Sequence, residues 1–172
     1  MERCRVHGRV DTAPPTVSTD PTILQHRTIR RRSRFMTDKL KFFSPEWCDA
    51  AREAVNANEA VCRGFKDPSA FTNRMELAVA GREDLTVHLE WNQGEVISWT
   101  PRKFDEDDLW IVLNGGLEAW QRAADGDEEA GKLLIAGELK FVKGPMTAAI
   151  ENAGALNNFL LSWGRVPTEW AV

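Results

Sequence analysis

The sequence has no long hydrophobic run, no tyrosine and little cysteine. Its longest uninterrupted apolar stretch is five residues, Leu109 to Leu113, whereas a membrane-spanning helix needs about 18 or more, so we do not expect an integral membrane protein. Three cysteines, an odd number, and the lack of a secretory hydrophobic segment near the N-terminus argue against a disulfide framework and favour a cytoplasmic location. Seven tryptophans replace tyrosine as the large aromatic residues, and we expect most of them in the core.

The sequence also lacks the residue spacings of common metal and catalytic sites. The residues that could bind zinc are dispersed along the chain: Cys4, Cys48, Cys62, His7, His26 and His88. This spacing does not suit a zinc site, so we expect no metal and no cofactor. Gly115-Gly116 is too short a signal for a phosphate-binding loop. His88 falls on the polar side of a predicted strand without a nearby nucleophile, and we expect it at the surface, at most paired with Glu90.

The net charge of −4 is divided unevenly along the chain. Residues 1–35 carry eight arginines against three acidic residues, a net charge of +5, whereas the remainder carries 14 basic and 23 acidic residues, a net charge of −9. An acidic body repels phosphate backbones, so the folded domain is not expected to bind nucleic acid.

The segment 1–36 is predicted to be a disordered basic tail, because it is rich in proline, serine, threonine and arginine and has no helical or strand period. Three interpretations remain open: a passive extension, an electrostatic tether to anionic lipid or nucleic acid, and a transit peptide. Met36 is also a candidate for the true start of the protein. The domain itself is predicted over 37–166, with a C-terminal tail at 167–172.

The body begins with a helix and a meander. Ser44-Pro45-Glu46 is typical of a helix start, and the apolar spacing predicts one helix to about Arg63. Alternation from Thr72 predicts three strands joined by short turns, the last at Glu95 to Thr100. Leu109 to Leu113 is apolar at every position, which predicts a central strand covered on both faces.

The second half alternates short helices with one more strand. Two short helices are predicted between Gly116 and Gly137, then a strand over 139–142, and then one final helix from Pro145. The order is helix, three strands, strand, two helices, strand, helix. Because this order does not alternate as a parallel doubly wound sheet would, we predict an α+β fold.

The segment from Leu109 to Phe159 resembles the sterol carrier protein two family of intracellular lipid binders. The resemblance rests on a buried strand that leads through Gly115-Gly116 into a helix with Trp120, closed by Gly126, then a short helix, the run Gly137 to Phe141, and a helix after Gly144. It extends over about residues 44 to 162. The segment between Gly137 and Gly144 is one residue longer than the family's usual unit, and a bulge would absorb the extra residue.

The resemblance implies a curved, mostly antiparallel five-stranded sheet, with helices packed on one face over an apolar cavity. It implies noncatalytic binding, carriage or presentation of a sterol, fatty acid or fatty acyl ester, with a lipid-metabolising enzyme as a further partner. Such a site needs apolar walls, and small residues on the last helix leave room for it. The expected lining residues are Leu89, Trp91, Leu113, Leu117, Trp120, Leu133, Leu134, Phe141, Met146, Ala149, Ile150 and Ala153.

Two other functions compete with lipid carriage. The first is a regulatory or protein-interaction domain whose pocket is filled by its own side chains, because a stripe of apolar residues at helical spacing is usually plain packing. The second is a small acid/base enzyme acting on a steroid-like substrate. It would use a buried carboxylate from Asp105, Glu106, Asp107 or Asp108, although four adjacent acids favour a solvated loop.

Overall fold

The computed structural model describes residues 38–172, so the tail predicted at 1–36 lies outside the described residues. The helices in this part of the chain are α1 (Pro45–Asn56), α2 (Glu59–Gly64), α3 (Leu117–Asp125), α4 (Ala130–Ile135), α5 (Met146–Glu151) and α6 (Ala153–Ser162). The strands are β1 (Leu40–Lys41), β2 (Arg74–Val79), β3 (Arg82–Asn92), β4 (Glu95–Pro101), β5 (Ile111–Gly115), β6 (Leu139–Lys143) and β7 (Thr168–Glu169). Short 3₁₀ turns at Pro68–Ala70, Glu106–Asp108 and Trp163–Arg165 complete the described elements.

Five strands form one mixed sheet in the order β4-β3-β2-β5-β6. All neighbours are antiparallel except β2 and β5, which are parallel. The predicted α+β class with a mostly antiparallel five-stranded sheet is therefore confirmed. The predicted central position of the Leu109–Leu113 strand is wrong, because β2 occupies the centre and β5 lies second from the edge.

The alternation of β2 and β3 fixes which face of the sheet is apolar. Met75, Leu77 and Val79 are buried on β2, and Val87 and Leu89 continue the same face on β3. Residues of this face pack into the main core beneath the helices. The alternation predicted for these strands is confirmed, because their apolar side chains lie on the same face of the sheet.

The extra residue between Gly137 and Gly144 is absorbed by a bulge. In the β5–β6 pair, Val112 faces Lys143 and Leu113 faces Phe141, so the register shifts between Val112 and Leu113. Val142 is the additional residue on β6. Between these two paired positions β6 carries one more residue than β5, which is the definition of a bulge.

Both long helices expected from the sequence are interrupted at an asparagine. The helix predicted to reach Arg63 ends at Asn56, because Asn58 has extended backbone angles and its side chain accepts the N–H of Ala60 at 3.2 Å. The final helix breaks at Asn152, whose side chain accepts the N–H of Lys66 at 3.0 Å and donates to the carbonyl of Ala148 at 2.8 Å. Asparagine bonds its local backbone in this way and so competes with helix continuation.

The C-terminal segment pairs with the start of the described chain. β1 and β7 form a parallel pair in which Leu40 faces Thr168, although 167–172 was expected to be a tail. The indole N–H of Trp47 donates to the Thr168 hydroxyl at 2.8 Å, and the ring of Trp170 lies 4.4 Å from that of Phe42. Two-residue strands carry little pattern, which is why periodicity does not detect them.

Two cysteines lie in the helices of the described part. Cys48 on α1 is a buried free thiol. Cys62 on α2 is disulfide-bonded, whereas the odd cysteine count argued against a disulfide framework.

Candidate functional site

The residues expected to line a lipid cavity fall into three groups in the structure. One group is buried in the core: Leu89, Trp91, Leu113, Trp120, Leu133 and Ala149. A second group is half-buried and packs against the core: Leu117, Leu134 and Phe141. The third group is exposed: Met146, Ile150 and Ala153. The expected lining residues therefore differ widely in burial.

Aromatic rings occupy the space between the sheet and α6. The ring of Phe159 lies 5.5 Å from that of Trp91, 5.4 Å from that of Trp99 and 5.3 Å from that of Trp163. Trp163 also lies 5.6 Å from Trp120. These offset and edge-to-face contacts are the arrangements aromatic rings prefer. In this conformation the centre of the domain is filled by the protein's own side chains.

A different apolar region surrounds α4. The helix α4 contacts α3, α6 and β6, and each of these four elements leaves one large apolar side chain half-buried: Leu134 on α4, Leu117 on α3, Leu156 on α6 and Phe141 on β6. We call these four residues the α4 group. Leu156 follows the same helical spacing as the buried residues of α6. Only its partial burial in the structure sets it apart from them.

The helix α5 is weakly held beside this region. Ala149 is its one buried residue, and its first turn has no side-chain cap. Its far end is anchored, because Lys66 and Glu151 form an ion pair at 2.7 Å and Asn152 binds the N–H of Lys66. A short helix with few buried contacts and one anchored end belongs to the least stable part of a fold.

Small residues set the closest helix contact near this anchor. A Cβ atom on Gly64 would lie 2.4 Å from the backbone nitrogen of Ala155, so α2 and α6 approach at backbone distance. Gly144, at φ 121°, holds the turn before α5 against the carbonyl of Trp110, where a Cβ atom would lie at 2.5 Å. Gly64 therefore holds α2 against α6, and Gly144 holds the preceding turn against Trp110, whereas α5 itself buries only Ala149.

The prediction that His88 lies at the surface is wrong. His88 is fully buried on the face of the sheet opposite the helices, where its Nε2 lies 2.8 Å from Glu76 Oε2. Its Nδ1 accepts the backbone N–H groups of Lys103 and Phe104 at 3.0 and 2.8 Å. The segment that follows β4 folds over the ring, which period-two alternation does not reveal.

A small polar cavity of about 290 Å³ opens near the ends of β2 and β3. Arg74 dominates it, with its guanidinium 3.3 Å from Glu90 and 3.7 Å from Asp108. The carboxylates from Asp105 to Asp108 are all exposed. The enzyme hypothesis requires a carboxylate that is buried in an apolar pocket, and none of these four is buried.

Residues 38–172 contain neither a metal-binding cluster nor a membrane-spanning helix. No group of three or more His, Cys, Asp or Glu side chains in this part of the chain is arranged to hold a metal ion. None of its helices has the length and apolar character needed to cross a membrane.

Comparison with known proteins identifies the fold. No protein-family model and no curated protein matches the sequence. Among solved structures, the crystal structure of sterol carrier protein 2 matches with a TM-score of 0.60 and 22% identity, over 72% of this chain and 98% of that one. The solution structure of a conserved hypothetical protein from Thermus thermophilus matches with a TM-score of 0.58 and 21% identity, over 74% and 90% of the two chains. The resemblance read from the sequence is thereby confirmed in three dimensions: this chain has the sterol carrier protein 2 fold.

Proposed function

We propose that the protein binds and carries an apolar lipid, such as a sterol, a fatty acid or a fatty acyl ester, as a noncatalytic cytoplasmic carrier. The observation that carries the proposal is the α4 group, in which four elements leave apolar side chains half-buried beside a weakly held helix. The fold supports it, since structures of this fold include a protein named as a sterol carrier.

The proposed ligand lies among the α4 group with α5 as its cover. Because the centre of the domain is occupied by aromatic rings, the ligand chain would run outside Phe159 and displace α5 rather than the core. The movable end of α5 is its uncapped first turn at Met146, while the Lys66–Glu151 pair holds the other end.

The energetics suit reversible carriage. Burying a methylene contributes about 0.8 kcal/mol, so a chain that buries ten gains roughly 8 kcal/mol. Association and ordering offset several kcal/mol of this gain. The balance for ten methylenes, about 4 kcal/mol, corresponds to a dissociation constant near a millimolar, whereas a chain that buries about 15 methylenes reaches the micromolar range, which still permits release to an acceptor. A lipid-metabolising enzyme is the partner we propose for that release.

Uptake of a fluorescent fatty acid by the delipidated full-length chain tests the proposal. Leu134→Asn places an amide in the α4 group, and we expect at least about tenfold weaker uptake, because the amide must be desolvated beside the ligand. Ile97→Asn is the matched control, since Ile97 is an exposed apolar residue on β4, at the other edge of the sheet. Equal uptake by both variants and the wild type would overturn the placement of the ligand.

A second candidate function is a protein-interaction domain with a filled interior. The packed rings around Phe159 favour it, because they occupy space between the sheet and α6 that a ligand would need. Native mass spectrometry after gentle purification separates the two. A copurifying lipid supports the carrier, whereas an empty protein that also fails to take up fatty acid supports the interaction domain.

A further inference from the structure

The polar cavity near the ends of β2 and β3 is separate from the proposed lipid site, because none of its lining residues belongs to the α4 group. Its volume of about 290 Å³ is close to the lower limit of cavities that hold small molecules. One cation, two carboxylates and two indole side chains are among its walls: Arg74, Glu90, Asp108, Trp91 and Trp110. The cavity therefore combines charges of both signs with aromatic surface.

Neighbouring side chains hold the guanidinium of Arg74 in place. Its Nε donates to Glu90 Oε1 at 3.3 Å, and its Cζ lies 4.5 Å from the centre of the Phe104 ring, which is a cation–π contact. A side chain that is already fixed loses less conformational entropy when a ligand binds to it. Arg74 is therefore preorganised as a ligand-binding group.

The guanidinium also keeps hydrogen-bonding capacity that its neighbours do not use. Its Nη1 lies 3.7 Å from Asp108 Oδ2, which is beyond hydrogen-bond distance. Within residues 38–172, neither Nη1 nor Nη2 of Arg74 donates a hydrogen bond, and the Asp108 carboxylate accepts none. A cation and an anion thus lie side by side at the cavity, and both have hydrogen-bonding groups available to a ligand.

These charges select a ligand that carries both signs. A simple anion would approach Arg74 but meet the carboxylates of Glu90 and Asp108, and a simple cation would meet the guanidinium. The adjoining charges are also mixed, with Lys103 and three exposed acids at 105–107. A zwitterion can place its anionic group on Arg74 and its ammonium group on Asp108, so that both pairs attract.

The spacing of the two protein charges matches that of an α-amino acid. With standard bond lengths, the ammonium nitrogen and the carboxylate oxygens of such a molecule are about 3 Å apart. This separation is close to the 3.7 Å between Nη1 of Arg74 and Oδ2 of Asp108. The two pairs of opposite charges can therefore face each other in antiparallel orientation.

The indole side chains indicate what else the ligand carries. Trp110 is half-buried and Trp91 is fully buried, and both line the cavity. Indole rings pack well against apolar and aromatic groups. This wall favours an amino acid with an apolar side chain.

We propose that the cavity binds a free α-amino acid with an apolar side chain. The ligand carboxylate accepts hydrogen bonds from Nη1 and Nη2 of Arg74, and the ligand ammonium group donates to Asp108. The ligand side chain packs against Trp110. This binding is a function additional to lipid carriage and does not rest on it.

Isothermal titration calorimetry of the full-length chain with L-phenylalanine tests the proposal. Two analogues each lack one charge: 3-phenylpropionate has no ammonium group, and 2-phenylethylamine has no carboxylate. We expect phenylalanine to bind at least about tenfold more tightly than either analogue, because each has lost one charge-assisted hydrogen bond.

A matched pair of variants tests the role of Asp108. Asp108→Asn should bind phenylalanine at least about tenfold more weakly but 3-phenylpropionate no more weakly, since only the ammonium group needs that carboxylate. Asp107→Asn is the control, because it removes the same charge from an exposed neighbour that does not line the cavity. It should bind phenylalanine as the wild type does. Thermal melts check that both variants are folded, which we expect because both side chains are exposed.

Three results would each overturn the proposal: no binding of phenylalanine up to about 10 mM, equal affinity for phenylalanine and 3-phenylpropionate, or wild-type affinity in Asp108→Asn. Glycerophosphoserine carries the same ammonium and carboxylate groups as part of a phospholipid head group. Tighter binding of glycerophosphoserine than of phenylalanine would overturn the free amino acid as the ligand and assign the cavity to a head group.

Discussion

His88 and Glu76 form a buried hydrogen-bonded pair, with Nε2 of the imidazole 2.8 Å from Oε2 of the carboxylate. Because Nδ1 of the same ring accepts two backbone N–H groups, from Lys103 and Phe104, the ring proton lies on Nε2 and is donated to Glu76. The pair joins β3 to β2 and fastens the segment after β4 over the sheet. Phe104 stacks on the imidazole at 5.7 Å, nearly parallel to it.

Replacing His88 with alanine should destabilise the domain by about 2–4 kcal/mol, because it leaves two backbone donors without an acceptor and removes the closer partner of the Glu76 carboxylate, whose other partner is Arg102 at 3.9 Å. His88→Asn keeps an acceptor near the position of Nδ1 and should lose less. Urea denaturation of the two variants measures the difference. Thr86→Ala, on the same face of β3, is the control and should change the free energy of unfolding by about 0.5 kcal/mol or less.

Substitution by alanine should lower the stability of the domain at Gly64 and raise it at Gly131. At Gly64 the added methyl group would meet the backbone of α6 at 2.4 Å, so we expect a loss of about 3 kcal/mol. At Gly131, in α4, nothing lies within 4 Å of the added methyl group, and the better helix propensity of alanine should stabilise by up to about 1 kcal/mol. Thermal unfolding of both variants measures the two changes in stability. Wild-type stability of Gly64→Ala would contradict the close approach of α2 and α6.

Thr168→Val should destabilise by about 1–3 kcal/mol, because the buried indole N–H of Trp47 loses its acceptor while the side-chain volume is kept. Thr168→Ser retains the hydroxyl and should lose less. Chemical denaturation of both variants measures the hydrogen bond between α1 and β7. Equal stability of the valine variant and the wild type would show that the C-terminal strand contributes little.

Burial, with the nearby carboxylates of Asp49 and Glu46, raises the pKa of the Cys48 thiol to about 12. In the unfolded chain the thiol titrates near its ordinary pKa of about 8.5. Between these values the unfolded state releases a proton that the folded state retains, so stability should fall as the pH rises from about 9 to about 12.

Stability measured against pH in the wild type and in Cys48→Ala checks this prediction, because the variant should lack that component of the fall. Alkylation of Cys48 at pH about 9, followed by peptide mass spectrometry, should also be much slower in the folded protein than in denaturant. Rapid labelling of the folded protein would contradict the burial.

Local signals predicted the parts of this fold that depend on neighbouring residues. Ser44 caps α1 through the N–H of Trp47 at 3.2 Å, Gly126 ends α3 in the left-handed conformation, and the bulge at Val142 lies in the segment that was one residue too long. Each of these features is decided within a few residues of chain, so spacing suffices to detect it.

Features that depend on distant residues were missed. Asn58 interrupts the first helix partly because it donates to Ser162 at 2.9 Å, and Asn152 binds Lys66, 86 residues away. His88 is buried only because the segment after β4 crosses it. Phe159 likewise contacts Trp91, Trp99 and Trp163, an aromatic cluster that spacing along the sequence does not reveal.

The tryptophan ring contacts between the helices and strand β4 have an optical consequence. Trp47 lies 5.5 Å from Trp99 and 5.4 Å from Trp163, and Trp120 adjoins Trp163 at 5.6 Å. At these separations excitation passes readily between indoles, so the four chromophores emit as a coupled group and a quencher near one dims them all. Intrinsic fluorescence therefore reports on the whole cluster, and no fluorophore has to be attached to follow a rearrangement anywhere along it.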